Sequence, residues 1–162
     1  MNALRVGDKV PDVPLVAVTP GGPKSLSRAE LFGGKKVVLF AVPGAFTPTC
    51  TAQHLPSFLA NHQQIKANGV DTIACVAVND VFVMKAWGEA KDPAHVVLML
   101  ADGAAAWTKA AGLDWDLSSL GLGVRAQRFA MIVDDGTVSH IAVEEGAAFK
   151  VSSGEAILAA LK

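Results

Sequence analysis

The stretch KVVLFAVPGAFTPTC, residues 36–50, decides how this chain folds. Residues 36–42 are an apolar, largely β-branched run of the kind that forms a strand buried on both faces. Pro43-Gly44 ends the run with a strong turn signal. Thr47 then suits an N-cap, and Pro48 suits the first helical position, where a missing N–H costs nothing. The spacing predicts a strand that turns directly into a helix, with Cys50 as the third helical residue.

Downstream, Ala52, Leu55, Phe58, Leu59 and Ile65 recur at helical spacing. Pro56 is expected to bend that helix and Asn68-Gly69 to close it. Residues 72–78 (TIACVAV) read as a second buried strand, so strand, helix and strand make a right-handed βαβ unit with parallel pairing. Asn79-Asp80 caps a helix over residues 81–89, residues 96–100 form a third strand, and residues 104–111 form a short helix ended by Gly112. Upstream, Pro11, Pro14, Pro20, Gly21, Gly22 and Pro23 punctuate short strands and turns. Residues 128–133 and 137–143 flank Asp134-Asp135-Gly136, a hairpin signal. Ser152-Ser153-Gly154-Glu155 reads as a capping box for a last helix with Ile157, Leu158 and Leu161 inward. This order predicts an α/β chain with a mixed central β-sheet flanked by helices. A thioredoxin-like fold satisfies it, as one domain over residues 1–162.

Bulk composition narrows the function. The chain has 162 residues, enough for one domain with a substantial core. Hydrophobic content of 51% and charged content of 18% describe a compact soluble protein, not a disordered one. A formal net charge of -1, without a cluster of Lys and Arg interleaved with aromatics, argues against nucleic acid as a partner. The opening segment from Met1 to Asp8 lacks the pattern of a secretory signal, and the longest apolar runs are too short to span a bilayer. A cytoplasmic location is the expectation. Cytosolic thiols stay reduced, so Cys50 and Cys75 are each to be judged by their surroundings.

Cys50 has the more suggestive surroundings. In the first turn of a helix, free N–H groups and the positive end of the dipole favour a negative sulfur. The thiolate is the nucleophilic form of cysteine. Thr47, three residues earlier, can turn its hydroxyl toward the sulfur or a bound oxygen, while Pro43 and Pro48 stiffen the turn. Each feature alone has a plainer reading: a small half-buried cysteine and a simple cap. His54, one turn after Cys50, invites a Cys–His protease reading but reads better as a structural residue of the helix.

The segment VVLFAVPGAFTPTCTAQHLPSF resembles the active-site segment of the peroxiredoxins, and PGAFTPTC followed by HLP is similar to their type II, or peroxiredoxin-5, branch. Similarity continues through VAVNDVFVMKAWG, GLGVRAQRFAMIVDDGTV and VEEGAAFKVSSGEAILAAL, nearly the whole chain. The resemblance implies an antioxidant oxidoreductase, a thiol peroxidase that reduces hydrogen peroxide and organic hydroperoxides through a Cys50 sulfenic acid. It implies Cys50 as the peroxidatic cysteine, Thr47 as the hydroxyl that bonds the peroxide and Pro43 as the proline over the pocket. Arg128, directly before Phe129, matches the arginine that stabilises the thiolate and orients the substrate. Arg125 competes on position and is read as a surface cation. No metal, haem or flavin cofactor is implied; an external thiol, glutathione with glutaredoxin or else thioredoxin, supplies electrons. A homodimer whose interface abuts the site is also implied, with Trp87 and Phe46 as ordinary packing residues nearby.

Cys75 stands in the middle of TIACVAV, and its leading reading is an inert buried residue. The alternative is a resolving thiol, because some type II relatives carry a cysteine here. A disulfide needs Cα atoms within about 7 Å, so a mid-strand cysteine reaches Cys50 only if the helix start unwinds. Other relatives resolve through a C-terminal loop cysteine where this chain has EEGAAFKVSS. An external thiol attacking the sulfenate is the expectation. Two other classes stand beside the peroxidase. A thioredoxin-class disulfide oxidoreductase wants Cys-x-x-Cys, and Thr47 fills the place of its first cysteine. The other is a non-catalytic thioredoxin-like binding module.

Overall fold

The structure, a computed structural model, describes residues 3–162; Met1 and Asn2, which open the segment read for a leader, lie outside them. Pro20 and Gly21 turn the chain between β1 (Leu15–Thr19) and β2 (Gly22–Leu26), an antiparallel hairpin. Ser27 and Glu30 then form a capping box that starts α1 (Arg28–Phe32), a helix the sequence reading passed over. The buried run becomes β3 (Lys36–Ala41), followed by a π-turn at Cys50–His54 that continues into α2 (Leu55–Ala67). Next come β4 (Thr72–Ala77), α3 (Val81–Lys91), β5 (Leu98–Ala101) and α4 (Ala106–Ala110). The chain finishes through β6 (Asp114–Asp116), β7 (Val124–Ala126), β8 (Phe129–Asp134), β9 (Thr137–Val143) and α5 (Gly154–Leu161).

Seven strands make one mixed sheet in the order β2-β1-β5-β4-β3-β8-β9. β3, β4 and β5 are parallel, as the βαβ reading expects, while β1 and β8 join antiparallel on either side. Alternation along β3 sorts the core into two layers. Val38 and Phe40 face a layer containing Cys50, Phe58, Cys75, Trp87 and Ile157, beneath α2, α3 and α5. Val37 and Leu39 face Leu31, Phe32 and Trp107, beneath α1 and α4. The β8–β9 hairpin turns through Asp135 and Gly136, both at positive φ as a two-residue turn of this kind requires. Among the described residues no helix is long and apolar enough to cross a membrane.

Four local departures from the sequence expectation have physical causes. The third strand starts at Leu98, not two residues earlier, because the buried Asp92 carboxylate takes the amides of Val96 and Val97 at 3.0 and 2.8 Å. The helix expected over residues 104–111 starts later, since buried Asp102 accepts from the amides of Trp107 and Thr108. The polar stretch after it folds into the β6–β7 ribbon. The capping box at the last helix does not form. Ser153 is the N-cap there, accepting from the Ala156 amide, so Glu155 falls one position too early, and Ser152 turns its hydroxyl to Glu144.

Candidate active site

The loop leaving β3 is fastened from two directions. The Ala45 amide donates to Asn79 Oδ1 at 2.9 Å, which ties the loop to the end of β4. Arg125 reaches in from β7, its Nη1 donating to the carbonyls of Val78 at 3.3 Å and Pro43 at 3.5 Å, its Nε to Leu122 at 2.8 Å. Arg125 is therefore a half-buried brace, not the surface cation that the sequence suggested. Gly44 lies under it: a Cβ there would stand 3.1 Å from Thr47 Cγ2 and 3.2 Å from Arg125 Nη1. Phe46 adopts φ 64, a left-handed conformation that a bulky residue holds only where its neighbours enforce it. Half-buried Pro43 stands at the start of this loop.

Helical backbone begins at Pro48, and the Thr51 amide donates to the Thr47 carbonyl at 3.0 Å. Cys50 is thus the third helical residue, as expected. Thr47, however, does not spend its hydroxyl on a cap. It lies 2.7 Å from the Gly44 carbonyl and 2.8 Å from Cys50 Sγ. One hydroxyl proton faces two acceptors. A thiolate draws that proton, whereas a thiol can donate to the oxygen and leave the proton to Gly44.

The helix then widens. The Leu55 amide reaches back five residues to the Cys50 carbonyl, and Pro56, with no N–H of its own, sits in the first turn of α2. The π-turn aligns Cys50 and His54 on the buried side and leaves Ala52 exposed, against the expected helical face. Four residues apart, Cys50 and His54 share the face that Phe58 continues into α2.

Arg128, immediately before β8 and 4% exposed, completes the site. Its Nη2 donates to Cys50 Sγ at 3.2 Å and its Nη1 to His54 Nδ1 at 2.8 Å; its Nε has no partner among the described residues. His54 Nε2 lies 2.8 Å from the Ser152 carbonyl, and its ring packs against Phe40, Phe58 and Phe149. Burial first, and then the charge of Arg128, lower the His54 pKa from 6.5 to about 3, so the ring is neutral. His54 is thus more than a structural residue of the helix: its contact with Arg128 depends on a partner 74 positions away, which local sequence does not signal. Trp87 is core, as expected, with its indole N–H donating to Thr51 Oγ1 at 3.1 Å. Phe46 is exposed in the single chain and so is not part of its core.

Cys75 pairs with Phe40 across the sheet and shares the core layer of Cys50. Both cysteines are free and buried. Burial chiefly, with the nearby Cys50 adding to it against the pull of Arg128, pushes the Cys75 thiol pKa well up. In sum, the site holds one sulfur at a helix start, faced by a hydroxyl and a fixed planar cation. That set suits nucleophilic attack on an atom that must shed negative charge.

Comparison with known proteins agrees with this chemistry. The Redoxin family model matches residues 5–158. The chain is 50% identical over 163 residues to the chloroplastic Peroxiredoxin-2E-2 of Oryza sativa subsp. japonica, covering 98% of this chain and 72% of that one. Among solved structures it is similar to reduced Prx3 from Vibrio vulnificus in complex with hydrogen peroxide, with TM-score 0.94, 53% identity and coverage of 98% and 99%. It is also similar to peroxiredoxin 5 from Alvinella pompejana, with TM-score 0.87, 38% identity and coverage of 98% and 97%. The sheet between helices is accordingly a thioredoxin-like fold, and the chain belongs to the Redoxin family as a peroxiredoxin of the type II, or peroxiredoxin-5, kind, a thiol-dependent peroxidase.

Proposed function

We propose that Cys50 is the peroxidatic nucleophile and that Thr47, Arg128 and Pro43 build the pocket in which it reduces a hydroperoxide. The observation carrying this reading is the double contact on Sγ, from the Thr47 hydroxyl at 2.8 Å and Arg128 Nη2 at 3.2 Å. The thiolate attacks one peroxide oxygen, the O–O bond breaks, and the departing oxygen takes a proton from solvent to leave as water or alcohol. Sulfur is oxidised to the sulfenic acid. Charge moves from sulfur to the leaving oxygen, so donors aimed along that line stabilise the transition state more than the ground state. No resident cofactor enters these steps.

An incoming thiol then condenses with the sulfenic acid, releasing water and forming a mixed disulfide, and a second thiol reduces that disulfide. We assign this to glutathione with glutaredoxin, or to thioredoxin, rather than to Cys75. Supporting that choice, Cys75 is buried within β4 and disfavoured as a thiolate. The chain acts as one domain over residues 1–162, in the cytoplasm, as a homodimer. Exposed Phe46 in the loop after β3, Phe82 in the first turn of α3 and Leu120 in the β6–β7 connection offer apolar surface for the second copy.

Mass spectrometry after one equivalent of hydrogen peroxide tests the reading. Fast sulfenic acid or mixed disulfide at Cys50, with all turnover lost in Cys50→Ser, is expected. Slow oxidation like that of a free thiol would instead indicate a binding module. Cys75→Ser should retain most turnover with a glutaredoxin system; its loss would favour an internal disulfide.

A further inference from the structure

Glu144, directly after β9 and 4% exposed, is a buried acid that the peroxidase reaction does not use. Its Oε2 gathers four donors: the amides of Lys150 at 2.8 Å, Val151 at 2.9 Å and Ser152 at 2.9 Å, and the Ser152 hydroxyl at 2.6 Å. Burial pushes its carboxyl up, but the donation from Ser152 and from the three amides outweighs it and holds the pKa below the usual carboxylate value. The Glu144 amide donates to the Arg128 carbonyl at 2.9 Å. One residue thus joins the backbone of the arginine to the loop that carries Ser152. A buried charge is expensive to keep, and here its geometric product is the placement of the next carbonyl, Ser152 O, against His54.

That carbonyl decides a proton. A carbonyl only accepts, so His54 Nε2 must carry the hydrogen in the 2.8 Å contact with Ser152. A guanidinium only donates, so Nδ1 must be bare in the 2.8 Å contact with Arg128 Nη1. The other neutral tautomer would set N–H against N–H at Arg128 and leave the Ser152 carbonyl facing a lone pair. With Nη1 committed to His54, the fork of the guanidinium directs Nη2 to Sγ.

We propose that Glu144 is a positioning residue for the peroxide-reducing centre: by drawing Lys150, Val151 and Ser152 onto one carboxylate oxygen it sets the Ser152 carbonyl, which selects the Nε2–H tautomer of His54 and so aims Arg128 at Cys50. The inference rests on the role given to Arg128 above, and its effect on peroxide attack follows from geometry. Small misplacements at such a distance from the chemistry cost up to about 100-fold in rate.

The test uses the full reduced chain and Glu144→Gln, whose single amide oxygen lacks the charge that holds four donors. Long-range nitrogen–proton NMR of the His54 ring reads its tautomer whether or not the protein turns over. Stopped-flow kinetics separately reads the peroxide step and the recycling step. Wild type should show only Nε2–H. Glu144→Gln should show mixed tautomers, with kcat/KM for peroxide down about 10- to 100-fold and KM for the thiol reductant within about twofold. A folded Glu144→Gln with unchanged tautomer and peroxide kcat/KM within about twofold would overturn the proposal, as would an Nδ1–H tautomer in wild type. If Glu144→Gln does not fold, Glu144→Asp, which keeps the charge but draws the loop in by one methylene, must give the same tautomer mixing and the same selective loss, or the proposal fails. A wild-type protein that shows the Nε2–H tautomer but no peroxide reduction at Cys50 would sink the functional reading instead and leave the tautomer relay standing.

Discussion

Replacing His54 by Gln should change how acid destabilises the protein. In the folded chain the ring is held neutral with a pKa of about 3, by burial and then by the charge of Arg128, against an ordinary 6.5. A histidine with a depressed folded pKa contributes stability that is complete above the unfolded value and is lost as pH falls toward the folded one. Below about pH 6.5 the unfolded chain binds a proton that the native site refuses. The slope approaches about 1.4 kcal/mol per pH unit. From about pH 8 to about pH 5 the loss from this one residue is about 2 kcal/mol, and it depends little on the folded value because pH 5 is well above 3. Glutamine can accept from Arg128 and donate to the Ser152 carbonyl without titrating. Urea unfolding of reduced protein at the two pH values is the assay. The wild-type midpoint should fall by roughly 1 M, and that of His54→Gln by much less. Equal losses in the two proteins would refute the neutral, buried histidine, and with it the orientation argued for Arg128.

Arg128→Lys keeps the charge, but one ammonium lacks the fork that serves both His54 Nδ1 and Cys50 Sγ; kcat/KM for peroxide should drop about 10- to 100-fold, and a wild-type rate would count against the double contact. Gly44→Ala forces a methyl between Thr47 and Arg125, so thermal unfolding should show a loss of about 1–3 kcal/mol together with slower peroxide attack. Asp102→Ala removes the acceptor for the Trp107 amide, the Thr108 amide and the Thr108 hydroxyl at the start of α4; a loss of about 2–4 kcal/mol is expected, and a Tm within about one degree of wild type would refute it.

Much of the fold could be read from local pattern because local pattern reports burial. The runs at β3 and β4 are apolar on both faces, which marks strands covered by helices on both sides, and Asp135-Gly136 supplies the positive φ that a tight hairpin needs. Cys50 at a helix start and Thr47 three residues before it could be placed from Pro43, Thr47 and Pro48 alone. What stayed hidden depended on distant partners. Ser152 and Glu155 have the spacing of a capping box, yet Glu144 competes for Ser152 and shifts the cap to Ser153. Arg125 looked like a surface cation because its acceptors are backbone carbonyls on two other segments.

The amino-acid order by itself determined the alternation of buried strand and helix, and the presence of a cysteine where a helix leaves its first amides unpaired, because both depend on contacts within a few residues. Family resemblance pointed to Arg128, and the apolar run around Cys75 to a buried thiol; tertiary structure alone decided that His54 meets Arg128, why that ring is neutral, and that Arg125 braces the loop. Those depend on residues distant in sequence, 74 to 98 positions away for the partners of His54 and Cys50, converging on one buried point.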